Sequence, residues 1–398
     1  MRVNFLDIKL THKNIRELLF CIPFCAGSIF YFETTWIYFG FIVWFLLYAP
    51  KSLLSYKFIR MKIHNIGDCI PLLMVIVWFY GIFLGFLNVK NTENIYRNYF
   101  GMLLYITYPI ILYYWNNLDS ILSIIRKLSI YSSLVLGVVC IYSVITIFLN
   151  EGGLNPRLLM IVDIGMVAIR LHYAANAFLI LSGAYIFITD SNNKNNIAAV
   201  LLFIYLLSFS KIFFIVLLMF LLLIAYLKIF RIRHLIIGIL ISFILILSFY
   251  SLDQVLNFFI GIEFNNGNPR AEQAQYLIDD FTFFGHGLGA PLSNSNYVRD
   301  DFFDYSFELT YHNLIHKLGI FSLIIFFSYG YTVFRGVLLL NNKNNNSKIV
   351  GGLVLVLMSF ALVGYANPII FNPICVIEHL FALALLRVVS YKKMDQLS

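Results

Sequence analysis

Apolar residues run in long stretches separated by short polar connections. Read over a window of about 19 residues, the stretches fall near 17–33, 35–50, 67–87, 99–115, 128–149, 173–189, 197–209, 212–227, 235–251, 312–335, 349–366 and 373–389. Most have the roughly 17 to 25 residues with which an α-helix crosses a hydrocarbon layer. The pattern predicts an all-α, polytopic membrane protein of about 12 transmembrane helices, organised as a single integral membrane domain over 1–398. Two connections break the rule of short links: a smaller segment at 150–172 and a large loop at 252–311. By helix count they fall on the same side of the membrane. Long loops between spans are usually functional or disordered, and the aromatic and glycine content of the second argues for an ordered, partly helical cap.

Composition excludes the soluble alternative. Hydrophobic residues make up 61% of the chain and charged residues 12%, against roughly 45–50% and 25% in soluble domains. The net charge of +8 would suggest nucleic acid in a soluble protein, but here it follows topology. With the N-terminus inside, 20 of the 28 Lys and Arg residues fall on inner segments, so the positive-inside rule places both termini in the cytoplasm and leaves no sign of a nucleic-acid partner. The N-terminal basic residues precede an apolar run with no small-residue cleavage pattern, which predicts a retained first helix. Five cysteines lie in or beside apolar runs without metal-ligand spacing and read as core residues. The NNKNNNSK run at 341–348 reads as a polar connection without chemistry. No internal repeat is visible, which argues against an inverted-repeat transporter.

Basic residues on the outer side carry information because topology gives no reason for them there. Arg170 stands at the mouth of a span among apolar neighbours, where a guanidinium is costly unless it is paired or sits in a watery cavity. Lys211 lies at a tight turn between two short apolar runs, beside Ser208 and Ser210. Arg270 opens a loop helix, with Pro269 as a good first-turn residue. Each could snorkel to lipid headgroups or pair with a loop acid, but together they point to an anion site, since arginines grip phosphate and pyrophosphate in bidentate fashion. Arg157, in the smaller segment, joins Lys211 and Tyr311 as a substrate-binding candidate.

The end of the large loop supplies a candidate base. Glu308, Tyr311 and His312 lie within about one helical turn of one another at the entry to a span, where partial burial raises a carboxylate pKa towards neutrality. Glu308 also reads simply as a helix-start carboxylate meeting the dipole. His316 and Lys317 lie deeper and read as packing or helix-pairing groups. Gly285, Gly287 and Gly289, in GHGLG, suit a tight turn rather than a dinucleotide fingerprint, because no βαβ unit surrounds them. The acidic pairs 279/280 and 300/301 lack a compact oxygen-ligand spacing, so neither metal nor cofactor is expected. Glu378 and His379, inside the last span, predict interhelical hydrogen bonds.

In these features the chain resembles the O-antigen polymerases of the Wzy type and, next to them, the O-antigen ligases of the WaaL type. The resemblance covers most of the chain as architecture and four places as motif: Arg170 in the smaller segment; Ser210-Lys211, where the family usually shows Ser-Arg; Arg270 followed by the glycine cluster; and Glu308, Tyr311, Leu318 and Gly319. Glu308 has the spacing to Gly319 that the ligases' His would have, whereas His312-Asn313 stands closer, which favours polymerase over ligase. The resemblance implies a GT-C-like fold in the bacterial inner membrane, with the two long segments in the periplasm. It implies metal-independent, inverting transfer of a growing glycan from undecaprenyl diphosphate to a hydroxyl on a lipid-linked repeat unit. The implied roles are pyrophosphate binding by Arg170, Arg270 and Lys211, and acceptor activation by Glu308 or His312. The implied partners are undecaprenyl-diphosphate-linked glycans, membrane lipids and a chain-length regulator protein. A lipid-linked oligosaccharide flippase is the rival of a different class, but it should line a central lumen with charge and keep its loops short.

Overall fold

The computed structural model describes residues 11–29, 34–53, 66–89, 92–97, 99–148, 159–163, 167–171, 174–190, 195–206, 211–227, 269–292, 307, 309–364 and 370–395. Helices dominate: α1 (His12–Ile29), α2 (Thr34–Leu53), α3 (Ile70–Asn88), a 3-10 helix (Phe100–Thr107) running into α4 (Tyr108–Tyr114), and α5 (Leu118–Phe148). After a hairpin of β1 (Leu159–Asp163) and β2 (Val167–Leu171) come α6 (Ala174–Thr189), α7 (Asn195–Leu206), α8 (Lys211–Tyr226) and α9 (Pro269–Asp279). The chain then forms α10 (Thr310–Leu318), α11 (Ser322–Leu340), α12 (Asn345–Leu357) and α13 (Pro373–Asp395). Among the described residues, five helical segments are long and apolar enough to cross a membrane: Ile70–Asn88, Leu118–Val138, Thr310–Leu340, Asn345–Val363 and Pro373–Ser390. Every predicted stretch except 235–251 overlaps a described helix, and 235–251 lies outside the described residues.

The faces of the helices fit a hydrocarbon surround. On α3 the inward residues include Met74, Trp78 and Ile82, while Leu72, Ile76, Phe79 and Phe83 point outward at helical spacing, so both faces are apolar. α11 is inverted relative to a soluble helix. Its buried face carries Ser322, Ser328, Thr332 and Gly336, and its exposed face carries Leu323, Phe327 and Phe334. Small and hydroxylated residues between helices with bulky apolar ones outside are the packing arrangement of membrane bundles.

The helix ends follow local chemistry. Asn117 and Ser120 cap α5 reciprocally: the Ser120 N–H donates to Asn117 Oδ1 at 2.9 Å and the Asn117 N–H to Ser120 Oγ at 3.4 Å. Asn344 accepts from the Asn346 N–H at 2.9 Å and starts α12, so the Asn-rich connection has a capping role. The hairpin, an addition to the all-α expectation, is antiparallel with Met160 opposite Arg170. Its strands, LMIVD and VAIRL, are rich in β-branched residues, which favour extended backbone.

α13 is the centre of the bundle, with 78% of its apolar window buried. Phe381 meets Phe20 of α1 and Trp115, and Trp115 stacks on Trp44 of α2 with centroids 5.9 Å apart and planes 9° from parallel. The buried His379 bridges neighbours, with Tyr105 Oη 2.7 Å from Nδ1 and Thr332 Oγ1 2.9 Å from Nε2. Interhelical hydrogen bonding is thus present at His379, while Glu378 is buried close to Leu179 of α6.

Three ion pairs gather at one end of the bundle. Arg387 of α13 meets Asp68, just before α3, at 2.7 Å; Arg126 of α5 meets Asp190 at 3.1 Å; and Lys127 pairs with Glu17 of α1. The Arg387–Asp68 side chains are 13% and 4% exposed, against 32% and 11% for Arg126–Asp190. Removing one member of a buried pair strands the other charge and costs about 3 kcal/mol, whereas exposed pairs contribute ~0–1 kcal/mol. Asp68→Ala is therefore expected to lower the unfolding temperature in detergent clearly more than Asp190→Ala does. Equal losses would show that burial does not rank these pairs.

Candidate functional site

At the opposite end of α3, about 25 Å from Asp68 at a rise of roughly 1.5 Å per residue, the stretch 281–292 is threaded between α3 and α10. Gly285, Gly287 and Gly289 take φ of 83°, 90° and 79°, with Gly319 at 54° just after α10. Such alternation of left-handed residues is easy only for glycine. It turns successive backbone amides towards different walls of the cleft. The N–H groups of His286 and Gly287 donate to His316 O at 3.0 Å and Lys317 O at 2.9 Å, and the Ile320 N–H donates to Phe283 O at 2.9 Å. The last carbonyls of α10, which no helical amide could satisfy, are thereby capped by the loop. On the other wall, the Leu288 N–H donates to Gly81 O at 2.9 Å, Tyr80 Oη to Phe284 O at 2.9 Å, and Asn88 Nδ2 to His286 O at 3.2 Å.

α9 enters the same assembly. Gln273, buried, accepts from the Leu309 N–H at 3.1 Å, and Leu277 packs with Leu292 and Phe307 in a small core of their own. Arg270 is the second residue of α9, one turn before Gln273 and its bond to Leu309. The backbone at Arg170 is in β2 and that at Lys211 begins α8; the side chains of Arg170, Lys211 and Arg270 are outside the described part, and Glu308 and Arg157 lie outside the described residues altogether.

Tyr311 and His312 are described and diverge. The Tyr311 hydroxyl donates to Ala361 O beyond α12, and its ring meets Phe326 edge-on at 5.6 Å. It also borders an apolar cavity of about 750 Å³ between α8, α11 and α12, lined by Met219, Phe220, Val333 and Leu355 among others. His312, half-buried, lies on the face of α10 that continues one turn later into His316.

His316 and Lys317 serve the loop rather than helix pairing. Lys317, fully buried, donates from Nζ to Ala290 O at 2.6 Å, with the Phe307 ring 5.6 Å away. His316, also fully buried, has Nε2 2.9 Å from Asp280 Oδ2. His286 places Nε2 2.7 Å from the Asp280 carbonyl and 3.9 Å from Oδ2, and its ring stacks on that of His316 with centroids 4.6 Å apart and planes 25° from parallel. Asp280, His286 and His316 were not among the residues the sequence marked as a site. The available signals were the HxxxH spacing of His312 and His316 and a histidine inside the glycine cluster. No sequence profile of a known family and no curated protein matches this chain.

Proposed function

We propose that this chain is an inner-membrane polymerase of bacterial surface polysaccharide, acting on the periplasmic face. In this reading about 12 transmembrane helices form a GT-C-like body with both termini cytoplasmic. The observation that carries it is the hydrogen bond between Gln273 and Leu309, because it fastens the helix that begins at Pro269-Arg270 to the backbone just ahead of α10, the helix that carries His312. A lipid-diphosphate glycosyl transfer requires a cation for the leaving group and a base for the acceptor, the roles proposed for Arg270 and for Glu308 or His312. Segregation of Arg126, Lys127 and Arg387 to the end of the bundle away from this loop also agrees with positive-inside orientation.

In the proposed reaction, an acceptor hydroxyl on a lipid-linked repeat unit attacks the anomeric carbon of the growing glycan. The bond from that carbon to the pyrophosphate oxygen breaks, and the lipid pyrophosphate leaves with the electron pair. The hydroxyl proton passes to the Glu308 carboxylate or to the His312 imidazole. Arg170, Arg270 and Lys211 meet the charge that develops on the leaving group, and Arg157 and Tyr311 border the substrate. Outside the cytoplasm no nucleotide sugar is at hand, so the donor must bring its own activated bond. The apolar cavity beside Tyr311 has the chemistry of an isoprenoid tail.

Deleting the gene in its native host tests the proposal on a silver-stained gel of surface polysaccharide. The expected product is lipid A core bearing a single repeat unit with the ladder gone. Loss of every repeat from the core with lipid-linked polymer accumulating would replace polymerase by ligase. Single lipid-linked units held on the cytoplasmic side would replace it by flippase.

A further inference from the structure

We infer that Asp280, His286 and His316 form a binding site for a divalent transition-metal ion of the zinc type, which clamps the 281–292 loop onto the end of α10. The inference does not depend on the proposed polymerase activity. The three residues come from different places, the residue after α9, the middle of the loop and the last turn of α10, and each offers a ligand atom within 4.8 Å of the others. Two imidazoles and one carboxylate are a donor set suited to zinc and its neighbours rather than to calcium or magnesium.

Spacing supports the assignment. A tetrahedral ion with bonds of roughly 2.0–2.1 Å holds its ligand atoms about 3.3 Å apart. The separations of Asp280 Oδ2 from His316 Nε2 and His286 Nε2, 2.9 and 3.9 Å, bracket that value. An ion at this point draws His286 Nε2 away from the Asp280 carbonyl, 2.7 Å distant, and towards Oδ2. The backbone around them is already fixed, because the amides of His286 and Gly287 are bonded to the carbonyls of His316 and Lys317. His316 is closed off on the inner side, while Asp280 and His286 keep side-chain exposures of 11% and 19%, which leaves an entry path from the loop side. The adjacent Lys317 ammonium is directed to Ala290 O, and the Asp280 carboxylate offsets part of the combined positive charge.

The test uses the full-length protein, purified in detergent with a tag that contains no histidine, stripped with a chelator and reloaded with zinc sulfate. After removal of excess ion, mass-spectrometric metal analysis is expected to find about one additional zinc per chain relative to Asp280→Asn and to His286→Ala, the reading expected for a single site. Reloading should raise the wild-type unfolding temperature by about 5 °C over the stripped protein and leave both variants unchanged. Because each variant is compared with its own stripped form, a loss of basal stability does not mimic loss of the ion. Cobalt(II) in place of zinc should give visible ligand-field absorption in the wild type that His286→Ala abolishes. Equal zinc in wild type and both variants, or no shift in the wild type, would overturn the site.

Discussion

Gly287→Ala is expected to yield little folded protein, whereas Gly137→Ala is expected to accumulate to the wild-type level. At Gly287 φ is +90° and an added Cβ would stand 2.2 Å from the Gly85 N and 2.5 Å from the Leu84 carbonyl carbon, both backbone atoms of α3. Neither can move without breaking a helix that forms one wall of the cleft. The loop cannot back away either, since its own amides are bonded to the end of α10. Strain at the dihedral and the steric conflict together cost about 3 kcal/mol or more, and the lost hydrogen bonds add to this. At Gly137 an added Cβ would meet nothing within 4 Å, and alanine in a helix is favoured over glycine by ~1 kcal/mol. Detergent-solubilised yield and size-exclusion profile of the two variants, expressed in parallel, measure the contrast. Similar profiles for both would show that the loop is not held between α3 and α10 as described.

If the proposed polymerase reading holds, Arg270→Ala is expected to remove the polysaccharide ladder while the protein remains at its normal level. α9 is held through Gln273 and Leu277, so the helix keeps its anchor when residue 270 is shortened. In the proposed reaction the loss is a guanidinium for the departing pyrophosphate, and removing a single donor from a developing anion costs roughly 100-fold or more in rate. Arg270→Lys should remain impaired, because an ammonium keeps the charge but not the two parallel N–H bonds. Complementation of a deletion strain, read as ladder against single-unit core, checks both, with an immunoblot for protein level. A normal ladder in the alanine variant would remove Arg270 from the site and with it the main support for a pyrophosphate leaving group.

The helical body was legible because transfer of apolar runs into a membrane is dominated by summed hydrophobicity, which survives without any knowledge of packing. That is why 67–87 and 373–389 fall on α3 and α13. The hairpin at 159–171 was not legible, since a ten-residue apolar alternation inside a loop competes with too many other conformations. The expected nearness of Glu308, Tyr311 and His312 came from sequence spacing alone: Tyr311 reaches Ala361, His312 shares the face of His316, and Glu308 lies outside the described residues. His316 and Lys317 looked like packing residues because their partners, Asp280 and Ala290, are brought to them only by the path of the glycine loop. Glycine spacing says that the backbone turns; it does not say which wall the turn meets.

The most enclosed helix, α13, is made after all the other described helices. At about 5–20 residues per second, roughly 20–70 s pass between synthesis of α1 and synthesis of the element on which α1, α2, α5, α6 and α12 converge. During that interval Trp115, Phe20 and Tyr105 lack the partners that α13 supplies. The bundle therefore closes as a late step in biogenesis, and translation arrested before residue 373 leaves a membrane-inserted intermediate with an open aromatic seam, a substrate for intramembrane quality control rather than a partly active protein.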